Sequence, residues 1–189
     1  MNHKRQKEIE QLAKNLLTET NCYSYPPIDV EEVARRKGIQ IIRFDFGEEV
    51  SGVLITEKGT SIIGLNPENG HKRQRFTIAH ELGHYILGHQ RSGMFVDTPE
   101  RYFTMFNFRN AASSTGELVQ EREANAFAAA LLMPLDLIQK VIDDLKDKID
   151  IRSQTDESYE DDFLVKLANA FNVSTQAMGF RLSTLNKLW

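Results

Sequence analysis

The chain has 189 residues, enough for one domain with a substantial core, and its 41% hydrophobic and 26% charged residues exclude a disordered or fibrous polypeptide. Its 23 Lys and Arg against 27 Asp and Glu leave a formal charge of -4, which supplies no overall electrostatic drive towards nucleic acid. Residues 1–10 carry no apolar core of a secretory signal, no apolar run nears the roughly 18 residues that span a bilayer, and the one cysteine, Cys22, cannot close an internal disulfide. The expected location is therefore the cytoplasm, with no membrane partner.

In chain order, Ile9, Leu12, Ala13, Leu16 and Leu17 fall at helical spacing and predict an amphipathic helix over 6–18. Tyr25-Pro26-Pro27 breaks the chain, Asp29 caps a second helix over 30–37, and Gly38 closes it. The β-branched and aromatic residues of 39–46, 52–56 and 61–65 predict three strands, the last two joined by a turn at Lys58-Gly59, in a small antiparallel sheet. Asn66-Pro67 and Asn69-Gly70 end the sheet, and Phe76, Ile78, Ala79, Leu82, Ile86 and Leu87 mark a helix over 73–87. The pattern lapses over 92–116, which reads as a long connection or lid, with Met94 to Phe108 its apolar part. Helices follow over 118–133, stopped by Pro134, and over 135–148. An acidic stretch, 156–162, then precedes helices over 163–171 and 175–185.

The expected architecture is α+β: a mainly helical single domain with a small antiparallel sheet. Its segments are 1–70 (helices and sheet), 71–150 (the helices that carry the site below) and 151–189 (a C-terminal helical pair resembling a helix-turn-helix).

His80-Glu81-Leu82-Gly83-His84 is an H-E-x-x-H pattern. Four helical residues advance about 400° and roughly 6 Å, which leaves both imidazoles on one face within reach of a single metal ion at about 2.0–2.1 Å. Glu81 stands beside them as a general base, and Gly83 keeps one flank small for another backbone. A catalytic zinc takes three protein ligands, so a third must come from elsewhere. His89 does not meet the longer metzincin pattern, because Leu87 and Gln90 stand where that pattern needs glycine and histidine; it reads as a residue behind a ligand or an exposed one. Glu121 and Glu123 are the better candidates. The core stripe of that helix, Ala124, Phe127, Ala128, Leu131 and Leu132, leaves Glu121 roughly 50° from its centre and Glu123 roughly 110° away, so Glu121 faces inward. Buried there, a carboxylate needs a cation or good hydrogen bonds. The plain alternative for Glu121 is an acid suited to a helix start.

Residues 75–85, Arg-Phe-Thr-Ile-Ala-His-Glu-Leu-Gly-His-Tyr, and the pattern from Glu121 through Ala124-Asn125 and Phe127 to Met133-Pro134 resemble the ImmA/IrrE-type metallopeptidases of bacteria and their mobile genetic elements. The Pro27-Ile28-Asp29-Val30 helix start and Gly64-Leu65-Asn66 are similar to that family as well. The resemblance implies a zincin-like, gluzincin-type fold in which His80, His84 and Glu121 match the metal ligands and Glu81 the catalytic acid. It also implies one zinc, or another divalent ion, per chain. The implied activity is endopeptidase cleavage of a protein substrate, a helix-turn-helix repressor, which would act on transcription regulation. Tyr85, Tyr102 and His89 are candidates for stabilising the oxyanion, with none assigned.

Two rival readings stand beside this one. Leu167-Ala168-x-x-Phe171-x-Val173-Ser174 with the helix after it could read DNA, although Arg181 and Lys187 are thin support for phosphate contacts; a helical pair completing the core, with Met178, Leu182 and Leu185 facing inward, accounts for the same pattern. A regulatory binding module that keeps the fold with little proteolysis is the other.

Overall fold

A computed structural model describes residues 1–47, 50–57, 59–89, 94–97, 116–146 and 157–185. Helix α1, His3–Glu19, starts earlier than the apolar spacing predicts because the Asn2 side chain accepts the backbone N–H of Arg5 at 2.8 Å, a cap seven residues ahead of Ile9, the first apolar position. Ile9, Ala13, Leu16 and Leu17 are its buried face. Helix α2, Val30–Arg36, is capped as expected, with Asp29 accepting from the N–H of Glu32 at 3.0 Å, and Gly38 follows it with φ +76°.

The sheet departs from the expectation of a purely antiparallel one. Strands β1 (Gln40–Arg43), β2 (Gly52–Glu57), β3 (Thr60–Leu65) and β4 (Met94–Asp97) lie in the order β1-β3-β2-β4. The β2–β3 hairpin is antiparallel, but β3 lies between β1 and β2, so β1 pairs with it in parallel, from Gln40 opposite Ile62 to Arg43 opposite Leu65. Local propensity marks strands and cannot say which edge receives them. Asn66 holds the connection that makes this order possible, its amide donating to the carbonyls of Gly47 at 2.8 Å and Val50 at 3.0 Å.

Strand β4 is a second correction. It falls inside 92–116, read as a connection, and pairs antiparallel with β2. Its four residues carry too short a pattern to stand out without the β2 edge to receive them. The rest of that segment, including Tyr102, lies outside the described residues.

Helix α3 is His71–Ile86 and α4 is Gly116–Leu132; Pro134 separates α4 from α5, Leu135–Lys146. Helix α6, Glu157–Ala170, takes in residues 157–162 of the acidic stretch expected to precede it, Asp156 lying outside the described residues, and acids suit the positive end of a helix. Helix α7 is Thr175–Leu185. One buried cluster draws on every helix: Ile9 and Leu17 of α1, Val33 of α2, Ile78 and Leu82 of α3, Phe127 and Leu131 of α4, Ile138 of α5, Leu167 of α6 and Met178 of α7, with Ile63 and Leu65 of the sheet. The fold is α+β and mainly helical. Among the described residues no single helix is long and apolar enough to cross a membrane.

Met178 and Leu185 are buried, and Leu182 packs against the same core, as the inward reading of the C-terminal pair expects. Arg181, a candidate for phosphate contact in the DNA-binding reading, is 2% exposed. Its guanidinium grips the Glu10 carboxylate of α1 through both terminal nitrogens, and its Nε donates to the Met133 carbonyl at 3.0 Å. That charge is consumed inside the fold. Lys187 lies outside the described residues.

Candidate metal centre

The site stands where α3 crosses α4, the two helices that pack most extensively on each other. Gly83 sets their approach: a Cβ there would lie 2.9 Å from the Ala124 carbonyl oxygen and 3.1 Å from the Ala124 Cα. The small flank read from the sequence is thus filled by the backbone of α4. Helix α3 is buried continuously from Arg75 to His84, and α4 turns Ala124, Phe127 and Ala128 to the same core.

His80 and His84 are 3% and 2% exposed, and their Nε2 atoms face each other at 3.0 Å. Glu121, on α4, closes the triangle: Oε2 lies 3.4 Å from His80 Nε2 and Oε1 lies 3.6 Å from His84 Nε2. Four donors at tetrahedral corners about 2.05 Å from one ion are about 3.3 Å apart. The 3.0 Å between the two imidazole nitrogens, and the 3.4 and 3.6 Å from each of them to one or the other oxygen of the Glu121 carboxylate, are in the range for one divalent ion shared by the three residues, whose ligand atoms all lie within 4.8 Å of one another. The donor set, two imidazoles and a carboxylate, suits zinc and does not by itself distinguish it from other borderline divalent ions. Glu81 is 0% exposed and sits between the two histidines in sequence on the same helix.

Electrostatics agree with this geometry. Burial holds the His84 imidazole down at about 4, so it stands neutral, the form that ligates metal. Burial pushes the Glu121 carboxyl up, but hydrogen bonds and charge from His80 and His84 outweigh it and hold the group below the usual carboxylate range.

Each histidine is held from behind. His80 Nδ1 meets Asn125 Oδ1 at 2.9 Å, which frees Nε2 to face the site. Asn125 lies one helical turn after Glu121, on the same face of α4, a spacing that makes its place legible in the sequence. Behind His84 stands His89, 8% exposed, whose Nδ1 lies 3.1 Å from His84 Nδ1. Glu123, the other carboxylate considered as a ligand, reaches His89 Nε2 at 3.3 Å and not the two ligand histidines. It is held by Arg5 of α1, with Nε to Oε1 at 2.8 Å and Nη2 to Oε2 at 2.6 Å. Arg5 holds the Glu123 carboxyl below the usual range, and burial pushes the His89 imidazole down. Tyr85, a candidate for the oxyanion, is 39% exposed.

Phe76, whose ring is stacked 6.3 Å from that of His80, and Asn125 also line a cavity of about 370 Å³ that extends along Ala126, Ala129 and Met133 to Phe180 of α7.

No curated protein matches the chain. Among solved structures it resembles a Mycobacterium tuberculosis transcriptional regulator at TM-score 0.59 and 16% identity, a likeness of fold that covers 94% of this chain and 46% of that one. The family model described as peptidase M78, IrrE N-terminal-like domain, matches residues 34–183, a stretch that contains both site helices, and the chain belongs to that family.

Proposed function

We propose that this protein is a zinc-dependent endopeptidase that cleaves a regulatory protein, a helix-turn-helix repressor, in the cytoplasm. The observation that carries the reading is the triangle of His80, His84 and Glu121, whose spacing suits one tetrahedral ion. Membership of a peptidase family supports hydrolysis, and a regulator among the fold's neighbours is consistent with a substrate in transcription control. The zincin-like arrangement, with ligands on two crossing helices, belongs to the same proposal.

A divalent metal, which His80, His84 and Glu121 would hold, would supply Lewis acidity towards a peptide carbonyl and would lower the pKa of water towards about 7. The chain's own work is then proton transfer and orientation. Glu81 accepts the proton of the attacking water and returns it to the leaving amine, one carboxylate serving both steps. His80 and His84 keep their Nε2 atoms turned inward because their Nδ1 atoms are engaged by Asn125 and His89.

The test has two parts. Elemental analysis should find one zinc per chain in wild type and in Glu81→Gln, and none in His84→Ala or Glu121→Ala. Incubation with helix-turn-helix regulators of the same cell, followed by mass spectrometry of new N-termini, should give products with wild type and none with Glu81→Gln. A wild type that holds no zinc even when zinc is supplied would sink the reading. Bound zinc without cleavage would instead favour a regulatory module that binds its partner through this fold.

A further inference from the structure

We propose that His89, Glu123 and Arg5 form a positioning chain that fixes the metal-facing orientation of His84 and ties the metal centre to the first turn of α1. The inference rests on the metal-site reading above and adds to it three residues that touch neither metal nor substrate.

Glu123, paired with a guanidinium, can only accept, so His89 Nε2, 3.3 Å from its Oε2, carries the proton and donates. His89 Nδ1 is then the bare nitrogen and accepts. The contact at 3.1 Å with His84 Nδ1 therefore requires the proton on His84 Nδ1, which leaves His84 Nε2 bare and turned towards His80 Nε2 and Glu121. Each proton in the series is fixed by the next group, and the last, Arg5, is always charged. The tautomer that His84 needs to ligate a metal is thus set from the far side of α4.

The backbone explains why His89 can do this. Helix α3 ends with Gly88 at φ +64°, Gly88 N–H donating to the Tyr85 carbonyl at 3.3 Å and His89 N–H to the His84 carbonyl at 3.1 Å. This pair of reversed bonds folds residue 89 back over residue 84, so a histidine five positions on lands behind a ligand and not beyond it. Arg5 is fixed equally closely, since the N-cap of α1, Asn2, holds its backbone N–H.

Zinc affinity of the full chain, measured by competition with a chromophoric chelator, reads the proposal independently of proteolysis. The visible spectrum of the cobalt(II)-loaded protein adds a view of ligand geometry. His89→Ala should weaken zinc binding by about 10- to 100-fold, the range usual for a partner of a ligating histidine. His89→Gln, which keeps an acceptor and a donor, should recover part of that loss. Arg5→Ala, at a part-buried ion pair, should weaken it by about 2- to 5-fold. The decisive outcome is the double variant: in the His89→Ala background Arg5→Ala should change neither affinity nor cobalt spectrum, because Arg5 acts only through His89. An equal Arg5 effect in both backgrounds, or unchanged affinity in all three single variants while wild type binds one zinc, overturns the chain and leaves the metal site standing. Absence of zinc from wild type overturns the metal reading itself and this inference with it.

Discussion

Replacing Gly83 by alanine should reverse the usual sign of that substitution. In the interior of an exposed helix, glycine to alanine stabilises by about 1 kcal/mol through backbone entropy and propensity. At Gly83 the added Cβ would meet the Ala124 carbonyl oxygen at 2.9 Å, the Ala124 Cα at 3.1 Å and the Phe127 Cβ at 3.2 Å. Carbon contacts are comfortable from about 3.5 Å, so α3 and α4 must part by roughly half an ångström, and two of the three atoms are backbone that cannot rotate away. Overpacking of this kind costs about 1–3 kcal/mol, which outweighs the propensity gain and leaves a net loss of about 1 kcal/mol. The same displacement carries Glu121, three residues from Ala124, away from His80 and His84, whereas metal distances tolerate only about 0.2 Å. Urea unfolding of chelator-treated protein should show the loss of stability, and chelator competition should show zinc affinity lower by about tenfold or more. An alanine variant that is more stable by about 1 kcal/mol and binds zinc as wild type does would refute the close approach of the two helices.

Two further outcomes follow from buried charge. Arg75 is 9% exposed, its Nε and Nη2 meet no acceptor among the described residues, and burial pushes its pKa down against the charges of Asp29 and Glu31, so Arg75→Met should raise the urea midpoint by the equivalent of about 1 kcal/mol or more; a fall of that size would mean that the guanidinium serves the fold. Burial holds His84 at about 4 in the metal-free protein, against 6.5 when unfolded, so between those values the unfolded chain binds the extra proton: stability is full above pH 6.5, falls by about 2 kcal/mol at pH 5, and keeps falling towards pH 4. Urea titrations of chelator-treated protein at pH 7.5 and 5 test this, and equal stability at the two values would exclude a buried neutral His84.

The parts of the fold that rest on periodicity were readable in the sequence, and those that rest on pairing were not. Ile9 to Leu17 and Phe76 to Leu82 announce their buried faces through spacing alone, and Asp29 announces its cap. The insertion of β3 between β1 and β2, and the capture of Met94–Asp97 by the free side of β2, depend on which backbone edges meet in space, and no local pattern encodes that. At the site, Glu121 and Glu123 are about equally buried, at 14% and 12% exposed, and what separates them is the partner: Glu121 reaches His80 and His84, Glu123 reaches His89 and Arg5. Asn125 could have been found by its spacing, one helical turn after Glu121. Arg5 could not: it is 118 residues from Glu123, and nothing in the first turn of α1 names its partner.

That first helix bears on how the family's core is completed in this chain. The family match begins at residue 34, after α1, yet α1 grips both the middle of the matched region, at Glu123, and its C-terminal end, at Arg181. Arg5, in its first turn, holds Glu123 behind the candidate metal centre, and Glu10, less than two turns later, holds the buried Arg181 of α7. Between them Ile9, Ala13, Leu16 and Leu17 fill the same apolar cluster as Phe127 and Leu131 of α4. A helix with only an apolar face could pack at several rotations or registers at little cost, because hydrophobic contact is not directional. Two carboxylate–guanidinium pairs of opposite sense, Arg5 giving to α4 and Glu10 receiving from α7, are directional, and only one rotation of α1 satisfies both. The C-terminal pair with its helix-turn-helix pattern is thereby anchored to the helix that also steadies the metal side. A reading of Arg181 as a free phosphate contact would have to break an ion pair that fixes α1, leaving Glu10 beside the core without its cation.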